Sequence, residues 1–214
     1  MNKPRIIIAD DHTLMTEGLR RLLEADFDVI GTASNGRELL TMLNSMTPDV
    51  IVLDIAMPEL NGIEAARLIS KSYPNVKLVF VTQQIDRHYI QAAFRAGASA
   101  FVSKQSASTE LQGAIHNALR GQTYITSVPG PGQTTLPDIS KIVAGDVTDT
   151  SLTPRQRQVL QLTAEGRTVK EIGVSLKISP KTVEFHKAAI MDQLGLRNTA
   201  DLTRYAVSHG IIRA

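Results

Sequence analysis

Five short apolar runs, each followed by a helical pattern, constrain the fold of this chain more than any other feature. The runs cover residues 6–9, 29–31, 50–53, 78–81 and 100–102. Because they are almost continuously apolar, we expect both faces of each strand to be buried. Strands of this kind, joined by helices, form a parallel sheet with helices on both sides. The sequence therefore predicts a five-stranded parallel α/β domain at the N-terminus.

The candidate strands end in chemically reactive side chains. The first run is followed by Asp10 and Asp11, the third by Asp54, the fourth by Thr82, and the fifth by Lys104. Each residue alone would have an ordinary structural role, such as a helix cap or an exposed charge. Parallel strands, however, present their carboxyl ends at one edge of the sheet, which is where ligands bind. We therefore expect these five side chains to converge.

Three clustered carboxylates require a cation. A ligand set of hard oxygen atoms, which we expect to contain neither His nor Cys, favours Mg²⁺. A carboxylate beside Mg²⁺, a lysine and a threonine is arranged for phosphoryl transfer. Asp54 is the expected nucleophile, while Asp10 and Asp11 hold the metal together with Asp54. Lys104 would neutralise phosphoryl oxygens, and Thr82 would donate a hydrogen bond to one of them.

The second half of the chain changes character. Residues 127–137 contain three prolines and two glycines, so residues 122–150 are interpreted as a linker. Residues 151–214 show helical patterns only. Capping boxes begin at Thr153 and Thr168, Ser179 precedes a proline at a third helix start, and a fourth helix is predicted over residues 199–209.

The C-terminal module is basic, with ten Lys and Arg against five Asp and Glu in residues 151–214. Helices over 168–176 and 179–194 have the spacing of a helix-turn-helix. The second helix should present a face to the DNA major groove, with side chains that contact base edges or phosphates. Its candidate DNA-binding residues are Lys181, Thr182, Glu184, Phe185, His186, Lys187 and Ala188. Charge alone favours an ordinary soluble surface for the same bundle over a DNA-binding one.

Residues 1–121 resemble the receiver domain of bacterial two-component response regulators. The motifs are Ala-Asp-Asp-His ending at residue 12, Leu-Asp-Ile-Ala-Met-Pro ending at 58, Val-Thr ending at 82, and the run ending in Ser-Lys at 104. The resemblance implies a flavodoxin-like sheet of order 2-1-3-4-5 and phosphorylation of Asp54 by a sensor histidine kinase. It also implies that Phe101 is a switch residue that turns inward with Thr82. Gln83 and Gln84 depart from the family pattern, which usually has a small residue after the threonine.

Residues 151–214 resemble the LuxR-type DNA-binding domain. The motifs are Leu-Thr-Pro-Arg-Gln-Arg-Gln-Val-Leu ending at 160, Lys-Glu-Ile ending at 172, Ser-Pro-Lys-Thr-Val-Glu-Phe-His-Lys ending at 187, and Leu-Gly-Leu ending at 196. Gly173 stands where the family usually has alanine, and either residue is expected to be small enough there. Together the two resemblances identify the NarL/FixJ family.

The family implies double-stranded DNA as a partner and a homodimer in the phosphorylated state. We expect the last helix, around Leu202, Tyr205 and Ala206, to form the dimer contact of the DNA-binding module. RNA polymerase is a further candidate partner.

Two other functions remain open. One is a DNA-binding regulator that acts independently of phosphorylation and uses its receiver weakly. The other, less favoured, is a Mg²⁺-dependent aspartyl-phosphate phosphotransferase; the main interpretation is of a protein that is not an enzyme. No apolar run reaches the ~18 residues of a membrane span, and the chain has no cysteine. We therefore expect a cytoplasmic protein without a membrane partner.

Overall fold

The structure, a computed structural model, describes residues 3–83, 87–126 and 152–212. It contains two compact units, an N-terminal α/β unit and a C-terminal helical unit. Gln84 and residues 127–150 of the interpreted linker lie outside the described residues. None of the described helices is both long and apolar enough to span a membrane.

The N-terminal unit contains one parallel sheet with the order β2-β1-β3-β4-β5-β6. Its strands are β1 (Arg5–Ala9), β2 (Asp28–Ala33), β3 (Val50–Leu53), β4 (Lys77–Thr82), β5 (Ala98–Ser103) and β6 (Tyr124–Ile125). The five predicted strands and their order are confirmed. The sixth strand, which is two residues long and lies at the edge beside β5, was not predicted.

Five helices connect and cover these strands: α1 (Thr13–Leu23), α2 (Gly36–Met42), α3 (Gly62–Ser72), α4 (Arg87–Arg95) and α5 (Ala107–Leu119). Asn35 and Asn61 cap α2 and α3 by accepting hydrogen bonds from the backbone of the residue three positions later. The sheet is buried on both faces, since Ile6, Ile7 and Ile8 are all fully buried although successive side chains point to opposite sides. This burial is the reason that the strands contain so few polar residues.

Strand β6 lies inside the segment interpreted as linker. It pairs with β5 through Ala100 and Phe101, and the Thr126 amide extends the pairing by donating to the Phe101 carbonyl at 2.8 Å. The Glu110 carboxylate on α5 accepts hydrogen bonds from the Tyr124 hydroxyl at 2.8 Å and from the Thr126 hydroxyl. A two-residue strand is too short to show a hydrophobic period. These side-chain bonds, rather than an apolar pattern, fix it in place.

In the part of the C-terminal unit that the structure describes, four helices are present: α6 (Pro154–Ala164), α7 (Val169–Leu176), α8 (Pro180–Leu194) and α9 (Thr199–Ser208). Both predicted capping boxes are present, at Thr153 with Gln156 and at Thr168 with Glu171. Each helix contributes apolar side chains to one core, which includes Val159, Ile172, Val183, Ile190, Leu202 and Ala206.

The expected dimer contact on the last helix is wrong for two of its three residues. Leu202 and Ala206 are fully buried in the core of the helical unit. Tyr205 is half-buried against the same core, and its ring stacks on His209 with centroids 3.8 Å apart. These residues hold α9 against the bundle, because a four-helix unit of this size needs the apolar stripe of every helix for its own core.

Gly173 also differs from expectation. A Cβ atom at this position would lie 2.9 Å from the Ile178 carbonyl oxygen. That oxygen belongs to the turn between α7 and α8, whose first residue, Lys177, adopts a left-handed conformation with φ 55°. Alanine would therefore push against the backbone of the turn, so the two residues are not equivalent here.

We predict that Tyr124 makes the attachment of β6 sensitive to alkaline pH. Burial, helped by the Glu110 carboxylate that accepts its hydrogen bond, raises the pKa of Tyr124 from 10.0 to about 12. Because the pKa is higher in the folded state, the protonated hydroxyl contributes its full stabilisation at pH values below the unfolded pKa near 10. This contribution is lost as the pH rises through the folded pKa of about 12. Chemical unfolding should show wild type more stable than Tyr124→Phe at neutral pH, with the difference shrinking above about pH 10. Tyr73→Phe is the control, and an unchanged difference across this range would contradict the prediction.

Candidate functional site

Three backbone hydrogen bonds place the predicted residues at one edge of the sheet. The Asp10 amide donates to Ala33 at 3.0 Å, and the Asp54 amide donates to Ala9 at 2.8 Å, so both residues continue the pairing of β1 with its neighbours. The Lys104 amide donates in the same way to the Thr82 carbonyl at 2.8 Å. Since these bonds form only in parallel register, the carboxyl ends of β1, β3, β4 and β5 coincide.

Lys104 bridges two buried carboxylates. Its Nζ atom lies 2.6 Å from Asp10 Oδ2 and 2.8 Å from Asp54 Oδ2. The side chains of Lys104, Asp10 and Asp54 are only 7%, 2% and 1% exposed. Two buried carboxylates would repel each other strongly without a cation. The ammonium group supplies the compensating charge within the described residues.

Asp11 and His12 form the exposed side of this cluster. Asp11 is 29% exposed, and the His12 side chain is 48% exposed. His12 Nδ1 lies 3.2 Å from Asp10 Oδ1 and 3.0 Å from Asp11 Oδ1. The sequence did not predict a histidine beside these acids, and the all-oxygen ligand set stays a prediction. Position in the sequence gave the only signal, because His12 directly follows the two acids, but the orientation of its ring could not be predicted.

The donor atoms fit a divalent cation. Asp10, Asp11, His12 and Asp54 each offer one ligand atom, and these atoms all lie within 4.8 Å of one another. Three carboxylates are the donor chemistry that Mg²⁺ prefers. The three predicted metal-binding acids are thus brought together, with one nitrogen donor in addition.

The loop after Asp54 follows a tight path. Ile55, Ala56 and Met57 are buried, and the Gly62 amide donates to the Ile55 carbonyl at 2.8 Å. A Cβ atom on Gly62 would lie 2.0 Å from the Asp54 carbonyl oxygen. Only glycine allows the start of α3 to approach the backbone of Asp54 so closely.

Thr82 and Phe101 both face the interior. Thr82 is 1% exposed, and Phe101 is fully buried beside Phe80, with ring centroids 6.5 Å apart. The predicted switch aromatic is therefore in an inward position. Gln83, the residue that departs from the family pattern, is exposed to solvent.

Helix α8 presents a polar face that also contains one large apolar side chain. Val183 and Ile190 are buried on its inner side, as predicted. Of the seven candidate DNA-binding residues, four are exposed: Lys181, Glu184, Phe185 and Ala188. The phenylalanine has 70% of its surface exposed. Its ring lies edge-on to His186, with centroids 5.9 Å apart, and most of its surface stays available for contact with another molecule.

The other three candidates, Thr182, His186 and Lys187, are half-buried. The Thr182 amide donates to the Ser179 hydroxyl at 3.1 Å, and the two hydroxyl groups are 2.8 Å apart. Thr182 therefore contributes to the cap of α8, which limits its role in reading bases.

Two side chains of α6 fix the orientation of the helix-turn-helix. The Arg155 guanidinium donates to the Leu176 carbonyl at the end of α7 at 2.6 Å. The Gln156 amide donates to the Gln193 side chain on α8 at 3.2 Å. Both donors lie in the first turn of α6, where the sequence predicts only a helix cap. Their roles could not be predicted, because contacts with residues far away in the chain leave no local sequence pattern.

We predict that replacing Lys104 by methionine destabilises the protein and makes its stability depend on Mg²⁺. Removal of one partner from a buried ion pair costs about 3–5 kcal/mol of unfolding free energy, because the remaining charges are left without compensation. Added Mg²⁺ should restore part of this loss, since a bound cation again neutralises Asp10 and Asp54. Thermal unfolding with and without Mg²⁺ measures both effects. Lys71→Met, at an exposed lysine, is the control, and equal behaviour of the two variants would contradict this account of Lys104.

Comparison with known proteins matches both units to described families. Residues 6–116 match the response regulator receiver domain, and residues 150–206 match the bacterial regulatory proteins of the luxR family. The transcriptional regulatory protein MctR of Rhizobium johnstonii is 32% identical over 98% of this chain and 96% of its own length. The response regulator UvrY of Escherichia coli is 31% identical, with the same coverage.

A solved structure of RcsB from Salmonella enterica serovar Typhimurium, bound to a promoter in the presence of the phosphomimetic BeF₃⁻, is similar across the full length. It has a TM-score of 0.64 and 29% identity, and the match covers 97% of this chain and all of that chain. The relatives are transcriptional regulators, a class that is generally not enzymatic. The chain therefore belongs to the NarL/FixJ family of two-component response regulators, with a receiver domain followed by a LuxR-type DNA-binding domain.

Proposed function

We propose that phosphorylation of Asp54 by a sensor histidine kinase controls sequence-specific DNA binding by the C-terminal domain. The bridge from Lys104 to Asp10 and Asp54 is the observation that carries this proposal, because it gathers a nucleophile, a metal-binding acid and a cation in one buried cluster. Divalent Mg²⁺, held by Asp10, Asp11 and Asp54, would supply positive charge to the phosphoryl oxygens.

The chain's own residues perform the remaining tasks. A carboxylate oxygen of Asp54 attacks the phosphorus atom of the donor phosphohistidine, an O–P bond forms, and the N–P bond breaks as the donor imidazole leaves. Lys104, which already lies 2.8 Å from Asp54, neutralises charge on the transferred group. The Thr82 hydroxyl donates a hydrogen bond to a phosphoryl oxygen.

We assign Phe101 the role of a switch residue that acts through Thr82 and its neighbouring strand. Its inward position shows that the buried arrangement is accessible to this chain. Phosphorylation would then stabilise this arrangement against alternatives, which is a shift of population rather than the creation of a new state.

Strand β6 offers a route from this switch toward the linker. The Phe101 carbonyl accepts a hydrogen bond from Thr126, and Ile125 is the register partner of Phe101. Thr126 in turn bonds Ser106 and Glu110 at the beginning of α5. A change in β5 would therefore reach the first residues of the segment that joins the two domains.

In the DNA-binding domain, we propose that α8 enters the major groove. The exposed Phe185 would contact a thymine methyl group, Glu184 would accept from a cytosine amine, and Lys181 would contact bases or phosphates. The helix begins at Ser179, and its N-terminus adds attraction for phosphate. His186, Lys187 and Ala188 would lie along the same surface, and Thr182 would lie at its edge.

The promoter-bound RcsB structure supports this use of the domain, and another RcsB structure contains dimers on DNA. We propose a homodimer for the phosphorylated protein, formed by surfaces other than the buried Leu202 and Ala206. The same proposal places the protein in the cytoplasm. It includes contact with RNA polymerase and no membrane partner.

We predict that a phosphoryl mimic tightens DNA binding through Asp54. The full chain is bound to a genomic fragment library with and without beryllofluoride and Mg²⁺, and the affinities for selected fragments are measured at fixed salt, because salt alone changes affinity strongly. The mimic should increase affinity in wild type, whereas Asp54→Asn should abolish the increase. Phe185→Ala should lose up to about 1.5–3 kcal/mol of DNA-binding free energy, the value of fully burying a phenylalanine side chain. Val174→Ala, at an apolar residue on α7 that is 80% exposed, serves as the control.

Two outcomes would contradict this proposal. Equal binding in all states would mean that the receiver domain does not control the DNA-binding domain, as expected for a regulator that acts independently of phosphorylation. Failure to select any fragment, combined with turnover of a phosphate ester beyond one equivalent of protein, would support a phosphotransferase instead.

A further inference from the structure

His12 is the one ligand-type side chain in the carboxylate cluster that phosphoryl transfer does not use. Its backbone amide donates to Asp10 Oδ1 at 2.9 Å, which anchors the residue beside the acids. His12 also occupies the N-cap of α1, yet its side chain makes no capping hydrogen bond. Histidine is not a favoured N-cap residue. Its role therefore lies with the carboxylates toward which its ring is turned.

The cluster has two sides that use different oxygen atoms. Lys104 contacts Oδ2 of Asp10 and Oδ2 of Asp54. His12 Nδ1 contacts Oδ1 of Asp10 and Oδ1 of Asp11. Because Lys104 and His12 contact different oxygen atoms, the His12 side can bind a metal ion while Lys104 keeps its ion pairs.

The distances on the His12 side fall within the range spanned by neighbouring ligands of one metal ion. Metal–ligand bonds of about 2.0–2.1 Å place adjacent donor atoms roughly 2.8–3.0 Å apart at octahedral angles and roughly 3.3–3.4 Å apart at tetrahedral angles. The Nδ1 atom lies 3.0 Å from Asp11 Oδ1 and 3.2 Å from Asp10 Oδ1. An ion could therefore bind these three atoms with little rearrangement, and the partial exposure of Asp11 and His12 gives it a route from solvent.

We infer that His12 is a metal ligand and that it gives this site affinity for divalent transition-metal ions such as Zn²⁺, in addition to Mg²⁺. Imidazole nitrogen is a good donor for Zn²⁺, Co²⁺ and Ni²⁺, whereas Mg²⁺ selects oxygen atoms. This inference rests on the metal site proposed above. Since the ions would share Asp10 and Asp11, Zn²⁺ and Mg²⁺ would compete, and the metal bound would depend on their relative concentrations.

Calorimetric titration of the full chain with Zn²⁺, and separately with Mg²⁺, tests the inference. His12→Asn is the informative variant, because the asparagine amide can still donate a hydrogen bond to the acids but offers no imidazole nitrogen. His116→Gln, on the exposed side of α5, is the matched control for loss of a surface histidine. We expect His12→Asn to weaken Zn²⁺ binding roughly tenfold or more and to leave Mg²⁺ binding within about twofold of wild type. His116→Gln should change neither.

Titration with Co²⁺ gives a second readout, because its visible absorption spectrum responds to nitrogen coordination. We expect the Co²⁺ spectrum of His12→Asn to differ from that of wild type, and the spectrum of His116→Gln to be the same as that of wild type. Equal Zn²⁺ affinity in wild type and His12→Asn, or equal Co²⁺ spectra, would overturn the inference. If Mg²⁺ binding were intact in that case, the proposed receiver function would stand. If the wild-type protein did not bind Mg²⁺, this result would instead contradict the proposed function itself.

Discussion

The ion pairs of the Lys104 ammonium with the buried carboxylates of Asp10 and Asp54 are the interaction on which the rest of this structure depends. They allow like charges to lie at the ends of β1 and β3, where an otherwise apolar sheet could not tolerate them. In the proposed function, a phosphoryl group on Asp54 would take over contact with the same ammonium. A site maintained by an internal cation would thus be stable before phosphorylation and responsive to it.

The position of Lys104 in the chain would connect the proposed chemistry at Asp54 to the proposed switch. Its backbone is bonded to Thr82, and β5, which ends just before it, contains Phe101. Phe101 is bonded in turn to Thr126 at the end of β6, so the proposed switch and the start of the interdomain segment lie on adjacent, paired strands. In the helical domain, α6 contacts both helices of the helix-turn-helix, because Arg155 donates to the last carbonyl of α7 and Gln156 donates to Gln193 on α8. Each proposed functional surface is therefore positioned by a neighbouring element, which is what precise recognition requires.

The sequence was sufficient for the features that depend on local pattern. Apolar runs located five strands, caps located helix starts, and strand ends located Asp10, Asp54, Thr82 and Lys104. Strand β6 was missed because side-chain bonds to Glu110 hold it, and Leu202 and Ala206 were misplaced because an apolar stripe looks the same whether it faces a core or a partner. The ring of His12 was missed for a third reason: its contacts depend on side-chain orientation, which no spacing encodes. Distances and burial, which decide the chemistry, came only from the structure.

The central claim, that events at Asp54 reach the interdomain segment through β5 and β6, is tested most directly by hydrogen exchange. Amide exchange of peptides that cover residues 98–126 would be compared with and without beryllofluoride and Mg²⁺, in wild type and in Asp54→Asn. The account predicts that the mimic changes exchange at Phe101 and Thr126 in wild type only. Changes confined to the loops around Asp10 and Asp54, with β5 and β6 unaffected, would contradict it.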